Sequence, residues 1–162
     1  MEYLQLFAAL FTHKVKYLIC GGLAVNIYGI PRMTADIDLL LCFKDWNLER
    51  FNKVVEELSF KSHVPISINA LLDETTRSNM VKDKNMIAYS YYNDKANYMN
   101  LDVLIDTPID FEKLWDERES RKVEDFEIQM VSIENLITMK KYANRSQDQQ
   151  DIVLLSKLKD IK

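Results

Sequence analysis

The chain has 162 residues, 48% hydrophobic and 28% charged, which suits a single soluble globular domain spanning residues 1–162. A net charge of −4 excludes a broadly basic surface that would grip nucleic acid non-specifically. Two cysteines and two histidines read against a disulfide framework or a zinc centre, and Cys20 and Cys42 sit inside apolar runs as small hydrophobes. Residues 2–12 carry Leu4, Phe7, Ala8 and Phe11 at helical spacing. With an acid at position 2 and no small-residue cleavage site, they predict an amphipathic helix rather than a signal peptide. "KYLIC" (16–20) predicts a short buried strand. "GGLAVNIYG" (21–29) predicts a helix that opens on two glycines and closes at Gly29, with Pro31 as a stop. "ADIDLLLCF" (35–43) is a second strand. Residues 47–60 form an amphipathic helix with the stripe Leu48, Phe51, Val54, Val55 and Leu58.

Residues 61–84, with Pro65 and the polar run "DETTRSNMVKDK", give no clear reading. "NMIAYSYY" (85–92) and "YMNLDVLID" (98–106) predict a hairpin around the turn "NDKAN". "DFEKLWDERES" (110–120) predicts a helix and "RKVEDFEIQMVS" (121–132) an extended stretch. "SIENLITMKKYAN" (132–144) predicts a helix capped by Ser132, with Asn144 as its left-handed end. "SQDQQDIVLLSKLKD" (146–160) is the last helix. No apolar run approaches the ~18 residues of a membrane span, so no membrane partner is expected and the cytoplasm is the expected location. The element order predicts an α+β domain, a mixed sheet flanked by helices.

The stretch "RMTADIDLLLCF" (32–43) sets two acids at the head of an apolar strand. Alternate side chains of a strand point to opposite faces, so Asp36 and Asp38 share one face, roughly 6–7 Å apart, while Ile37, Leu39, Leu41 and Phe43 face the core. Such a pair is either a solvated strand start or cap, or two repelling charges that need a cation. The later strand repeats the parity: Leu101, Val103 and Ile105 on one face, Asp102, Leu104 and Asp106 on the other. If the two strands are neighbours, Asp102 completes a set of three carboxylates, hard oxygen donors suited to Mg²⁺ or Mn²⁺. Gly21 and Gly22 open a helix directly after a strand, where free N–H groups favour an anion; a plain tight turn is the alternative. A phosphate cradle beside carboxylate-held metals is equipment for phosphoryl or nucleotidyl transfer.

The run "YLICGGLAVNIYGIPRMTADIDLLL" resembles the opening of the DNA polymerase β-like nucleotidyltransferase superfamily, closest to the minimal and abortive-infection-type (AbiEii-like, toxin–antitoxin) prokaryotic enzymes. The shared pattern is a Gly-Gly turn, a short helix, Arg-x-Thr and Asp-x-Asp on a strand, here Gly21-Gly22, Arg32, Thr34, Asp36 and Asp38. "NLDVLI" offers the third carboxylate, Asp102. "ITMKKYANRSQDQQDIVLL" is similar to the last two helices of that group, with Lys140, Arg145, Asp148 and Asp151 at the matching positions. Two departures stand out: Asn144 where glycine is usual, and Gln147 where a basic residue is usual.

The resemblance implies a polymerase β-like fold and transfer of a nucleoside monophosphate from a nucleoside triphosphate to a hydroxyl on a protein, a tRNA end or a small molecule. Asp36, Asp38 and Asp102 would be the catalytic and metal-holding residues for Mg²⁺ or Mn²⁺. Gly21, Gly22, Arg32, Thr34, Lys140, Arg145 and Asp148 would form the nucleotide-binding set. Individual residues keep alternatives. Arg32 either clamps a phosphate or pairs with an acid, and Thr34 reads as a local hydrogen-bonding residue. Lys140 and Arg145 either reach the phosphates or cap helix ends. Asp148 caps, pairs with Arg145 or completes the site, and Asp151 reads as structural. Tyr89, Tyr91, Tyr92 and Tyr98 read mostly as core or surface, with base stacking as the other use. The chain ends soon after its last helix, so the acceptor is expected on a partner protein or at the nucleotidyltransferase surface itself. The competing function is an antitoxin-type binding module that masks or modifies a helical HEPN-type toxin, or a degenerate relative that binds nucleotide without turnover.

Overall fold

The computed structural model describes residues 2–95 and 100–162. In chain order the elements are α1 (Glu2–Thr12), β1 (Tyr17–Cys20), α2 (Gly21–Ile27), β2 (Asp36–Leu41), α3 (Asp45–Glu57), β3 (Lys61–Ser62), a 3-10 turn (Ile68–Leu72), α4 (Glu74–Lys84), β4 (Ala88–Tyr92), β5 (Asn100–Leu104), α5 (Phe111–Asp116), β6 (Glu119–Val123), β7 (Phe126–Met130), α6 (Ile133–Ala143) and α7 (Ser146–Ile161). Among the described residues the strands form one mixed sheet in the order β3-β4-β5-β2-β1-β7-β6. β2 runs antiparallel to β1 and parallel to β5, and β7 is parallel to β1. This is the expected α+β architecture, a mixed sheet flanked by helices.

The central strands read as apolar runs because both of their faces are covered: all four residues of β1 are buried, as are Leu39, Leu40 and Leu41 of β2. Phe7 of α1 stacks on Tyr17, and Phe51 of α3 meets Tyr91 edge-on, so these two helices cover one face. Tyr17 pairs with Leu41 and Ile19 with Leu39, which puts the odd-numbered side chains of β1 and β2 on that face. The other face carries the acids, with α6 and its partner α7 beside them.

Several expectations needed revision. The helix expected over 110–120 stops at Asp116, because the chain turns at Glu117 into the polar edge strand β6. The stretch 121–132 is not one extended run: β6 and β7 form a hairpin that reverses at Glu124, whose φ is +52°. The charged residues of β6 suit an exposed edge, where they discourage pairing with another chain. The unreadable stretch 61–84 holds β3, the 3-10 turn and α4. Helix α4 buries no residue, so it has no apolar stripe to read; Asp73 accepts from the Thr76 N–H at its start and Asn85 ends it in the left-handed conformation. The hairpin of β4 and β5 is present. Its turn residues 96–97 and Tyr98 lie outside the described residues. No helix among the described residues is long and apolar enough to cross a membrane.

Candidate active site

Asp38 of β2 pairs directly with Asp102 of β5, and Asp36 pairs with Asn100. In adjacent strands, paired residues lie about 4.8 Å apart and share a face. The three acids therefore line one side of the sheet, at the mouth of a polar cavity of about 670 Å³ that Gly22, Arg32 and Arg145 also line. Asn100 donates to Oδ1 of Asp36 at 3.2 Å, and Ser90 of β4 is the cross-strand partner of Asp102. Burial, then the charges of Asp102 and Asp36, push the Asp38 carboxyl up to about 6; Arg145 and Lys140 pull it the other way. Burial also raises Asp102, aided by Asp36 and opposed by the Ser90 hydrogen bond and by His63. Three like charges held together on one face are an all-oxygen donor set that a hard divalent cation would neutralise. The set fits such an ion in register and chemistry. Among the described residues, however, no three acid, histidine or cysteine side chains converge at metal-binding spacing.

The two glycines serve the site's own side chains. Gly21 has φ +62°, and a β-carbon there would lie 1.9 Å from Oδ2 of Asp38. A β-carbon on Gly22 would meet Thr34 Oγ1 at 2.9 Å and the Arg32 guanidinium carbon at 3.2 Å. The Gly-Gly turn thus lets Asp38 and Arg32 close over the start of α2, which spans only seven residues. Thr34 donates to the Asp36 carbonyl, the local role read for it.

The cations are arranged differently from the expectation. Arg32 pairs with Asp151 and donates to Gln147 Oε1 at 2.8 Å, so the acid-pairing alternative is the one observed. Lys140 does not face the cavity. It is 3% exposed, with its amine 2.8 Å from Asp151 and 3.3 Å from Asp148, and it locks α6 to α7. A buried amine must be paired in this way, since an unpaired charge in the interior is costly. Asp148 is fully buried and does two of the three jobs foreseen for it, capping and pairing with Arg145: its Oδ2 accepts from the backbone and Nε of Arg145, each at 3.0 Å. Burial opposes its ionisation, but these hydrogen bonds and the charges of Lys140 and Arg145 hold its carboxyl below the usual range. The Arg145 side chain remains 69% exposed. Its terminal amino groups have no hydrogen-bond partner among the described residues, and it lines the cavity beside Asp38.

Asp151, read as structural, links Arg32 to Lys140. Two contributors went unread in the sequence. Asn100 holds Asp36. His63 stacks on Tyr92 with ring centroids 4.4 Å apart, and its backbone N–H reaches the Ser90 carbonyl, one strand away from Asp102. No local pattern marks His63, because β3 is two residues long. Tyr89 and Tyr91 belong to the core.

A family model described as "Nucleotidyl transferase AbiEii toxin, Type IV TA system" matches residues 5–160. The chain belongs to the AbiEii nucleotidyltransferase family. No curated protein matches it. Among solved structures, this AbiEii family member is similar to the lincosamide antibiotic adenylyltransferase LnuA in its lincomycin-bound form. The TM-score is 0.62 at 16% identity, covering 97% of this chain and 96% of that one. It is also similar to an antigenic nucleotidyltransferase-like protein from Paracoccidioides brasiliensis, at TM-score 0.57 and 15% identity over 95% and 74% of the two chains. The structure of ANT(2")-Ia in complex with adenylyl-2"-tobramycin gives 0.57 at 12% identity over 95% and 85%. At these identities the likeness is one of fold, and it places the AbiEii chain in the nucleotidyltransferase fold.

Proposed function

We propose that the protein transfers a nucleoside monophosphate from a nucleoside triphosphate to a hydroxyl acceptor and releases pyrophosphate. The observation that carries this reading is the direct pairing of Asp38 with Asp102 on one open face, beside a polar cavity lined by Gly22, Arg32 and Arg145. Asp36, Asp38 and Asp102 would hold Mg²⁺ or Mn²⁺, which when bound lowers the pKa of an acceptor hydroxyl and neutralises phosphate charge. Arg145 and the backbone of Gly22 hold the triphosphate. Arg32 lines the same cavity, held at its wall by Gln147 and Asp151. The acceptor oxygen bonds to the α-phosphorus as the bond to the β-phosphate oxygen breaks. Its proton passes to Asp102, which pairs with Asp38 on the open face of the sheet.

The family description names the toxin of a type IV toxin–antitoxin system. In that setting the transfer would disable a cell component, and an antitoxin partner would counter it. The acceptor is a protein side chain, a tRNA end or a small molecule. The named neighbours LnuA and ANT(2")-Ia favour small hydroxylated acceptors as the first to try.

The test is incubation of the purified protein with each α-labelled nucleoside triphosphate, Mg²⁺ or Mn²⁺ and a lysate separated into protein, RNA and small-molecule fractions. Label should enter one fraction, and Asp102→Asn should abolish it while triphosphate binding is retained. A folded protein that binds triphosphate but labels nothing would favour the binding-module reading.

A further inference from the structure

The face that carries the acids continues beyond them toward the sheet edge. Asp38 pairs with Asp102, Asp102 pairs with Ser90 of β4, and the N–H of His63, next after β3, donates to the Ser90 carbonyl. These four residues form one row across the sheet. A second row runs beside it, in which Asp36, Asn100, Tyr92 and Lys61 are successive cross-strand partners. Such partners share a face. The His63 ring stacks on Tyr92 with centroids 4.4 Å apart, so both rings stand on the side of the acids. Neighbouring strands lie about 4.8 Å apart, which sets His63 roughly 10 Å from Asp102 with Ser90 between them. His63 is exposed, and Ser90 and Tyr92 are half-buried.

In an in-line displacement the attacking oxygen and the leaving pyrophosphate lie on opposite sides of the α-phosphorus. Gly22, Arg32 and Arg145 belong to the side of the acids toward α2 and α7, and β5, β4 and β3 lie on the other. With the pyrophosphate held by the first group, the acceptor approaches over the second. There it meets the Ser90 hydroxyl, an imidazole that can donate or accept, and an aromatic ring. This combination suits a ring that carries hydroxyl groups, with its C–H face against the aromatic pair and its hydroxyls on Ser90 and His63. Negative charge is disfavoured. Asp36 and Asp102 bound the surface on one side, and at the other Lys61 is already paired with Asp94 at 2.9 Å. A phosphodiester placed between them would meet like charges.

Building on the nucleotidyl-transfer reading, we propose that His63 and Tyr92 bind the acceptor, a small hydroxylated ring without negative charge, such as a sugar. The ring rests over Ser90 against the His63–Tyr92 pair, and one of its hydroxyls reaches Asp102. His63 and Tyr92 thus select the acceptor from the edge of the sheet and take no part in holding the triphosphate.

The test is the labelling reaction with an α-labelled nucleoside triphosphate, Mg²⁺ and the separated protein, RNA and small-molecule fractions. Label should enter the small-molecule fraction. His63→Ala and Tyr92→Ala should each raise the amount of that fraction needed for half-maximal labelling by roughly ten-fold or more, the affinity carried by one well-placed aromatic contact, while calorimetric triphosphate affinity stays within about two-fold of wild type. Tyr92→Phe keeps the ring and should shift the half-maximal amount by less than about two-fold. His63→Ala alters an exposed side chain and decides alone where Tyr92→Ala fails to fold. An unchanged half-maximal amount in the alanine variants, or triphosphate affinity that falls in step with labelling, would overturn the proposal. Label in the protein or RNA fraction instead would overturn it too, through the acceptor class. Each of these results leaves nucleotidyl transfer standing. A wild-type protein that labels no fraction overturns the transfer reading, and the acceptor proposal with it.

Discussion

Gly21 occupies the one place where Asp38 leaves no room for a side chain: a β-carbon there would lie 1.9 Å from the Asp38 carboxylate oxygen. At φ +62° a non-glycine residue also costs about 1–2 kcal/mol. Gly21→Ala should therefore lower stability by at least about that amount and displace Asp38. Thermal melts and Mn²⁺ titrations would read the two effects together. An alanine variant that melts and binds Mn²⁺ like wild type would show that Gly21 does not seat Asp38.

The raised Asp38 carboxyl makes the site a source of instability. Its folded pKa of about 6 exceeds the ordinary 3.8, so the folded state binds this proton more tightly than the unfolded state does. Its contribution is full below about pH 4 and is lost as pH rises to about 6, a change of about 2–3 kcal/mol at most. In chelator, Asp38→Asn should thus be more stable than wild type at pH 7.5, with a smaller gain at pH 4.5. Denaturant unfolding at the two pH values checks this; a gain that does not depend on pH would disprove it.

Asp151, read from the sequence as structural, should matter for folding. It bonds both Arg32 and Lys140. Asp151→Ala removes the closer partner of a buried amine and should cost about 3 kcal/mol or more. Asp148→Asn should likewise destabilise, because Asp148 holds Lys140 as well as Arg145. Denaturant midpoints would rank these against Arg145→Ala, which should change stability least of the three.

Arg145 is held by Asp148 at its Nε and projects its other end toward the cavity. Arg145→Ala should weaken ATP binding by about 1.5–3 kcal/mol, the range for a hydrogen bond to a charged group, and leave AMP nearly unchanged. Paired ATP and AMP titrations decide it. Equal losses for both nucleotides would assign Arg145 a structural role only.

The paired acids, the Gly-Gly turn and both closing helices were legible because each repeats a local rule: alternation in β2 and β5, a cap at Ser132, a left-handed Asn144. Helix α4 was not, since a helix that buries nothing has no period to detect. The reversal at Glu124 was missed for want of glycine at a position with positive φ. Lys140 was misplaced although a clue existed. It follows Ile133, Leu136 and Ile137 on the buried stripe of α6, just as Asp148 and Asp151 precede Leu155 on that of α7. A cation on one apolar stripe and two anions on the next predict an internal ion pair, but only once the stripes are known to face each other. The acid that Arg32 pairs with and the place of His63 were beyond such reading, because their neighbours come from distant strands and helices.

The alignment of Asp38 with Asp102 joins strands that lie far apart in the chain, with β3, α4 and β4 between them. A slip of one residue in β5 would turn Asp102 to the far side and bring Leu101 and Val103, both fully buried, out of the core. Grease rather than charge is what keeps the acids in step. A newly made chain therefore lacks its paired acids until this long-range pairing closes, and then gains both in a single event.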